Sequence, residues 1–438
     1  MHRLTVIGTG YLGAVHAACL ACLGFEVLGT DIDPVRIDVL NQGRAPFREP
    51  GLDRLLRRGL RSGRLRFTTS LTETARFGDV HFLCVGTPQR HGHPGADLSQ
   101  LDACVDALAP LLRRSCLVVG KSTTPAGTAA ALADRLAARA PAGPRAELAW
   151  NPEFLREGHA VADTLRPDRI VLGVRSARAE AVLRGIYRRP AEAGTPLLVT
   201  DLATAELAKV AANAFLATKI SFINAMAEVC EVAGADVTVL ADVLGRDPRI
   251  GAAALGPGLG FGGGCLPKDI RAFRHRVGEL GAGPALSFLG DVDAINLRCR
   301  SRAVAAAREL AGGSLEGQVV AVLGAAFKPG SDDIRDSPAL EVAAAVCGLG
   351  ARVTLYDPAA AAKAVAACPQ LMQAGSAEAA AQDADVLLVL TEWDEFRHAD
   401  PDILGKAVRR RNVLDARHAL DPGRWRAAGW TYRALGRP

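Results

Sequence analysis

The sequence predicts an α/β protein with two Rossmann-like, doubly wound units joined by a long central helix. Two stretches carry the expectation of paired units. Residues 3–33, "RLTVIGTGYLGAVHAACLACLGFEVLGTDID", and 317–358, "GQVVAVLGAAFKPGSDDIRDSPALEVAAAVCGLGARVTLYDP", each read as an apolar strand, a turn or loop, a helix, and a second strand closing on an acid. Between them, apolar residues recur at helical spacing across 206–234, which implies a helix of nearly thirty residues, longer than globular helices usually run. At 438 residues the chain is also too long for one ordinary core. The division expected is an N-terminal unit over 1–200, a central helical segment over 201–300 and a C-terminal unit over 301–438.

In the first unit, Gly8, Gly10 and Gly13 fit the GxGxxG spacing between strand and helix. The first glycine permits a tight turn, the second lets the backbone approach a pyrophosphate, and the third lets helix and strand pack closely. The unpaired N–H groups at the helix start then face the phosphates. Asp31 follows Gly13 by 18 residues, near the expected end of the second strand, where it can accept hydrogen bonds from both ribose hydroxyls. It would repel a 2′-phosphate, so the expected cofactor is NAD rather than NADP. Cys19 and Cys22 form a CxxC inside the apolar helix and read as small core residues rather than a redox pair.

Further strands are expected in "DVHFLCVGTP" (79–88) and "CLVVGKSTTP" (116–125). Both end in small polar residues and proline, and strand ends of a parallel sheet line the ligand crevice. Thr87 and Thr123 are candidates for that crevice, with an equal claim to be turn hydroxyls. The long helix can join two domains and pack against another subunit, so a homodimer or higher homo-oligomer is expected. The C-terminal unit adds strands in "ADVLLVLTEWDEF" (384–396) and "RNVLDAR" (411–417). It lacks GxGxxG and has a longer, charged loop, so it need not bind a dinucleotide of its own.

Composition narrows the class. Hydrophobic residues make up 49% and charged residues 23%, a soluble globular balance. No apolar run approaches the roughly 18 residues a spanning helix needs, and "MHRLTVIGTG" enters a strand too early for a signal peptide. A soluble cytoplasmic protein without a membrane partner is expected. Net charge is +5, and of 52 basic residues only 7 are lysine. The run "RRGLRSGRLR" (57–66) reads as a solvated helix end and turn, so no nucleic-acid partner is expected. The ten cysteines, irregularly spaced, are expected to be reduced thiols. The nine histidines show no ligand spacing, and His91 and His93, flanking a glycine in a polar loop, are not expected to bind metal.

The stretch that bears chemistry is "GFGGGCLPKD" (260–269). Gly258, Gly260, Gly262, Gly263 and Gly264 precede Cys265, and glycines let a backbone approach a ligand closely. Pro267 suits the start of a helix that "KDIRAFRHRV" can continue. A thiol beside a helix N-terminus and near Lys268 would have its thiolate favoured. Next to an NAD site, Cys265 reads as a nucleophile rather than core filler. A thiolate that adds to an aldehyde, loses hydride to NAD and leaves a thioester for water to cleave requires a base and an oxyanion donor. Candidates are Glu153 and Glu157 in "NPEFLREG", with Lys209 and Asn213 one helical turn apart. Pattern alone reads that lysine as snorkelling and that amide as facing solvent.

Across 1 to about 420, the motifs "GTGYLG", "PFREPGL", "FLCVGTP", "KSTTPAGT", "NPEFLREG", "ELAKVAANAFLATKISFINAMAEVC", "GFGGGCLPKD" and "FKPGSDDIRDSP" together resemble the nucleotide-sugar dehydrogenase family, in its UDP-glucose 6-dehydrogenase branch. The resemblance implies NAD-dependent four-electron oxidation of the sugar C6 alcohol of UDP-glucose to a carboxylate. It implies Cys265 as the nucleophile that forms thiohemiacetal and thioester, and Lys209 as oxyanion stabiliser with Asn213 orienting the substrate. Asp269 is implied as the acid working with that lysine and a water, Glu153 as the base for thioester hydrolysis, and Thr123 as a holder of the catalytic water. Glu153, Phe154, Leu155, Arg156, Arg249, Phe261, Gly262, Phe327, Lys328 and Arg417 are implied around the sugar nucleotide, Arg249 reaching a neighbouring subunit's substrate. Tyr11, Leu12, Asp31, Arg36, Thr87, Thr123, Glu157, Lys268 and Arg335 are implied around NAD, beside the three glycines. Gly264 stands where many relatives have Ser, and Leu266 where many have Phe. "CLPKD" also occurs in the GDP-mannose branch, which leaves GDP-mannose or another UDP-hexose as rival substrates. A catalytically inactive NAD-binding interaction protein and a one-step hydroxyacid-type dehydrogenase are the rivals of other classes.

Overall fold

The computed structural model describes residues 2–437. The chain divides into two compact units, Met1–Ala212 with His275–Gly281, and Asn213–Arg274 with Ala282–Pro438.

The first unit is an eight-stranded sheet: β1 (Arg3–Ile7), β2 (Glu26–Thr30), β3 (Leu65–Thr68), β4 (Val80–Leu83), β5 (Cys116–Gly120), β6 (Ala146–Trp150), β7 (Ile170–Gly173) and β8 (Leu197–Thr200). The spatial order is β3-β2-β1-β4-β5-β6-β7-β8, parallel throughout except at β6–β7, which meet antiparallel at Trp150 and Gly173. The order reverses direction at β1–β4, the switch point where an open parallel sheet leaves a crevice. Both faces are covered by helices, as a parallel sheet requires. Along β5, Leu117 and Val119 enter one core while Cys116 and Val118 enter the other. Strands β3, β6, β7 and β8 were not among the sequence expectations.

The second unit holds a six-stranded, all-parallel sheet: β9 (Val319–Leu323), β10 (Arg352–Tyr356), β11 (Met372–Gln373), β12 (Val386–Val389), β13 (Asn412–Asp415) and β14 (Thr431–Ala434), in the order β11-β10-β9-β12-β13-β14. Asp357 follows β10 as Asp31 follows β2, yet its carboxylate is consumed by protein. It accepts from the Ala325, Ala326, Ala359 and Ala360 amides and from Trp393 Nε1 at 2.7–3.1 Å.

The long helix runs Leu202–Ala233, 32 residues. Asp201 starts it by accepting from the Thr204 amide at 2.8 Å, and Gly234, at φ +70°, follows its last residue. By length and composition it could cross a membrane, with a mean hydropathy of 1.3 over its most apolar window, contrary to the expectation that no run approached this. Its buried side chains nevertheless include Glu206, Lys209, Asn213 and Asn224, each with a protein partner, which is the pattern of a helix packed in protein.

Candidate active site

The dinucleotide turn occupies the end of β1 in the first unit. Gly8 has φ +86°, and a Cβ there would lie 2.9 Å from the Val85 amide nitrogen. A Cβ on Gly13 would lie 1.8 Å from the Gly8 carbonyl oxygen, so this glycine permits the helix to sit on the strand. A Cβ on Gly10 would meet nothing within 4 Å. Protein packing therefore does not require a glycine at 10, whereas a ligand brought against the backbone does. Asp31 is buried, and its carboxylate accepts from the Thr9 amide at 2.7 Å, the Asp33 amide at 3.1 Å and Arg36 at 2.9 Å. Burial opposes its charge, but these hydrogen bonds and the guanidinium outweigh burial and hold the carboxyl below its ordinary range. The turn, the open Gly10 and an ionised acid at the β2 end fit a dinucleotide.

Tyr11 opens the helix Tyr11–Cys22, packs on Phe47 with the rings tilted 46° and donates to Glu49. Glu49 also accepts from the amides of Gly158 at 2.9 Å and Val161 at 3.2 Å, so it ties the cofactor turn to the loop after β6. Leu12 packs against the core beside it. The Thr87 hydroxyl donates to the Thr123 carbonyl at 2.8 Å, joining the loops after β4 and β5.

The loop after β6 carries the first charged centre. Glu153 Oε1 lies 3.0 Å from Lys209 Nζ, and Glu153 Oε2 accepts from the Leu155 amide at 2.6 Å. The Phe154 ring lies under Arg169 at 3.8 Å, with Lys209 Nζ 5.7 Å from its centroid. Lys209 is buried rather than snorkelling. Arg156 is exposed and paired to Asp163, while Glu157 is half-buried. Three residues before Lys209, Glu206 is buried against the start of the helix Thr128–Arg139, accepting from the Gly127 and Ala129 amides. Burial raises its pKa, against those hydrogen bonds. The sequence reading passed over Glu206; an acid set in an apolar helical stripe was the available signal.

The second unit holds the thiol. Cys265 immediately precedes the helix Leu266–Glu279, and among the described residues it alone of the ten cysteines is exposed. Burial pushes the Cys19, Cys84 and Cys104 thiols up to about 12, where they are unreactive. The approach loop needs its glycines. Gly260 and Gly263 have φ +82° and +84°, and a Cβ on Gly260 would lie 2.1 Å from Asn296 Oδ1. Asn296, fully buried, clamps this loop by accepting from the Phe261 amide at 2.7 Å and donating to the Phe261 carbonyl at 3.0 Å. A Cβ on Gly262 would meet the Asp336 carbonyl at 2.2 Å, and one on Gly264 the Arg335 guanidinium at 2.4 Å.

One turn into the Cys265 helix, Asp269 is buried between Lys268 Nζ at 2.5 Å and Asn213 Nδ2 at 2.7 Å. Asn213 is thus buried, contrary to the solvent-facing reading. Arg417 donates to the carbonyls of Leu390 at 3.0 Å, Gly260 at 2.9 Å and Phe327 at 3.4 Å, so its guanidinium binds the glycine loop to the β9 and β12 loops. Lys328 Nζ sits 5.5 Å from the Phe327 ring centroid. Arg335 is exposed and ion-paired with Asp333, and Arg249 is exposed and paired with Asp247.

Comparison with known proteins finds one family along the chain. Models of the UDP-glucose/GDP-mannose dehydrogenase family match residues 2–191 (NAD binding domain), 203–298 (central domain) and 321–422 (UDP binding domain). The chain is 41% identical over 441 residues to a UDP-glucose 6-dehydrogenase of Rhizobium meliloti, covering 100% of both. It is 40% identical to one of Pseudomonas aeruginosa, covering 100% of this chain and 98% of that one. The solved UDP-glucose dehydrogenase of Pyrobaculum islandicum superposes with a TM-score of 0.92 at 37% identity, covering 100% of this chain and 98% of the other.

Proposed function

The chain belongs to the UDP-glucose/GDP-mannose dehydrogenase family, an NAD-dependent oxidoreductase family, and from that premise we propose that it oxidises UDP-glucose to UDP-glucuronate. One observation supports the four-electron course above all: the single exposed thiol among the described residues, Cys265, at the head of a helix and at the end of a glycine-rich approach.

Gly8, Gly10, Gly13 and Asp31 would hold NAD, which would supply a hydride acceptor for each of the two oxidations. The protein's own residues do the rest. Lys209 stabilises the alkoxide of the substrate, and Asp269, with Asn213, holds a water that relays the proton. Loss of a first hydride from C6 leaves the aldehyde, and Cys265 adds to its carbon, forming a thiohemiacetal; loss of a second hydride from that carbon leaves a thioester. Glu153 takes a proton from an attacking water, the C–S bond breaks, and the carboxylate and thiol are released. Thr123 helps hold that water. Overall one substrate, two NAD and one water give the uronate, two NADH and three protons. The glycine loop 256–264, with Phe261, Gly262, Phe327, Lys328 and Arg417, cradles the nucleotide diphosphate. Arg36, Thr87, Glu157, Lys268 and Arg335 complete the cofactor contacts, and Phe154, Leu155 and Arg156 the sugar contacts.

The working division is an NAD-binding domain over 1–200, a central segment over 201–300 and a UDP-sugar domain over 301–438. The enzyme works in the cytoplasm as a homo-oligomer. Phe215, Phe222 and Val229 recur every seven residues on the long helix and are 68%, 49% and 55% exposed, an apolar stripe suited to a second copy, from which Arg249 would reach substrate.

The deciding experiment counts NADH formed per UDP-glucose consumed by purified protein, with the product identified. Two NADH and UDP-glucuronate are expected. Two NADH from GDP-mannose alone would change the sugar, and one NADH with an aldehyde or ketone product would remove Cys265 from the chemistry.

A further inference from the structure

A cavity of about 50 Å³ in the first unit is lined in part by Glu153, Lys121, Asn151, His16, Phe154 and Tyr187. Lys121, buried just beyond β5, donates to the Asn151 side-chain oxygen at 2.8 Å and to the Asn151 main-chain carbonyl at 3.3 Å. The Tyr187 hydroxyl donates to that same side-chain oxygen at 2.5 Å, and Asn151 Nδ2 donates to the Val171 carbonyl at 2.8 Å. Asn151 stands two residues before Glu153, so the ammonium grips the main chain from which the carboxylate hangs. On the same wall, His16 Nε2 is buried without a hydrogen-bond partner among the described residues. A cation, an unpartnered ring nitrogen and a carboxylate around one cavity meet the requirement for ordered internal water, which needs two to four polar partners.

We propose that Lys121 is a positioning residue for the oxidation: through Asn151, and through water in this cavity, it orients Glu153 and balances its charge. The proposal rests on the reading of Glu153 as the hydrolytic base. Burial lowers the Lys121 pKa to about 8; Cys84 and Glu153 act to raise it, and Lys209 to lower it. The groups facing it leave few charges. Burial pushes the Cys84 thiol up to about 12, holds His16 neutral and raises Tyr187. Asp163, Asp168 and Arg169 also line the cavity. Glu153 and Lys209 are therefore the near charges that Lys121 feels.

With only 7 lysines in the chain, the full-length protein labelled with ¹⁵N-lysine resolves each ammonium, and Lys121→Arg identifies the signal. Lys121 is expected to titrate near pH 8 in the wild type and at lower pH in Glu153→Gln, because the neighbouring anion is gone. A titration unmoved by Glu153→Gln overturns the proposal whether or not the protein turns over UDP-glucose. In steady-state assays, Lys121→Met should lower kcat about tenfold, less than loss of a base itself, with the UDP-glucose KM within about twofold. Lys121→Arg, which stays charged, should recover most of kcat and lose the alkaline decline near pH 8. Wild-type kcat in Lys121→Met, or an alkaline decline that persists in Lys121→Arg, overturns it. Absence of NADH formation from UDP-glucose by the wild type would count against the assigned function alone, since the titration still decides the role of Lys121.

Discussion

Lys209 Nζ lies 3.0 Å from Glu153 Oε1, and the two side chains are 6% and 13% exposed. A buried pair of this kind is costly to break from one side, because the remaining charge is left without compensation. It places an ammonium and a carboxylate within hydrogen-bond distance of each other. That suits the two halves of acyl chemistry, alkoxide stabilisation and water activation.

Lys209→Met should therefore act twice. It should lower stability by about 3–5 kcal/mol, the usual result of orphaning a buried charge. It should also lower kcat by about 10²–10³, the effect of losing one oxyanion stabiliser. Thermal unfolding and steady-state rates on one preparation separate the two; an unchanged melting temperature would mean that the pair opens readily to water.

Cys265→Ser should abolish UDP-glucuronate formation while leaving the fold intact, since the thiol is exposed and fills no core. Without a thiol leaving group, an oxygen ester would form and break slowly if at all. Product analysis over many turnovers checks this, and wild-type acid yield in the variant would displace Cys265 as nucleophile.

Two glycines of the cofactor turn should respond differently. Gly10→Ala adds a methyl into open space, so the melting temperature should hold while NAD affinity falls. Gly13→Ala forces a Cβ to within 1.8 Å of the Gly8 carbonyl oxygen, so the unit itself should lose stability. Unfolding midpoints with and without NAD report both effects.

Asp31→Ala should raise the dissociation constant for NAD by about 10–100-fold, the range expected for losing hydrogen bonds to a charged acceptor, with little change for UDP-glucose. Calorimetric titration of each ligand is the check. Equal losses would mean that the ribose contact lies elsewhere.

His81 is buried with Nδ1 2.8 Å from the Thr5 hydroxyl, and burial lowers its pKa from 6.5 to about 4. Its neutral form belongs to the folded state, so its contribution is complete above pH 6.5 and is lost as pH falls through the window to about 4. The fall in melting temperature between pH 7 and pH 5 should be smaller in His81→Gln than in wild type. An equal fall would assign the acid sensitivity to other groups.

Some of the site was legible because its signals are local. The Gly8, Gly10 and Gly13 spacing, Asp31 at a strand end, and Cys265 before a proline-bearing helix start all lie within short windows whose backbone chemistry is known. Other signals are long-range. Lys209 meets Glu153, and Asn213 meets Asp269, each across 56 residues of chain, so helical pattern alone read both as solvated.

By itself, then, the sequence determined the alternation of strands and helices, the paired sheets, the dinucleotide turn and the glycine-rich approach to Cys265. These depend on side-chain period and on glycine's backbone freedom, which act between neighbours. Only the tertiary structure decided which polar groups are buried and what holds them: Glu206 at a helix start, Asn296 around Phe261, Lys121 on Asn151, and Asp357 spent on main-chain amides. Burial is a property of surfaces brought together from distant parts of the chain. The desolvation that makes a partner obligatory exists only once they meet.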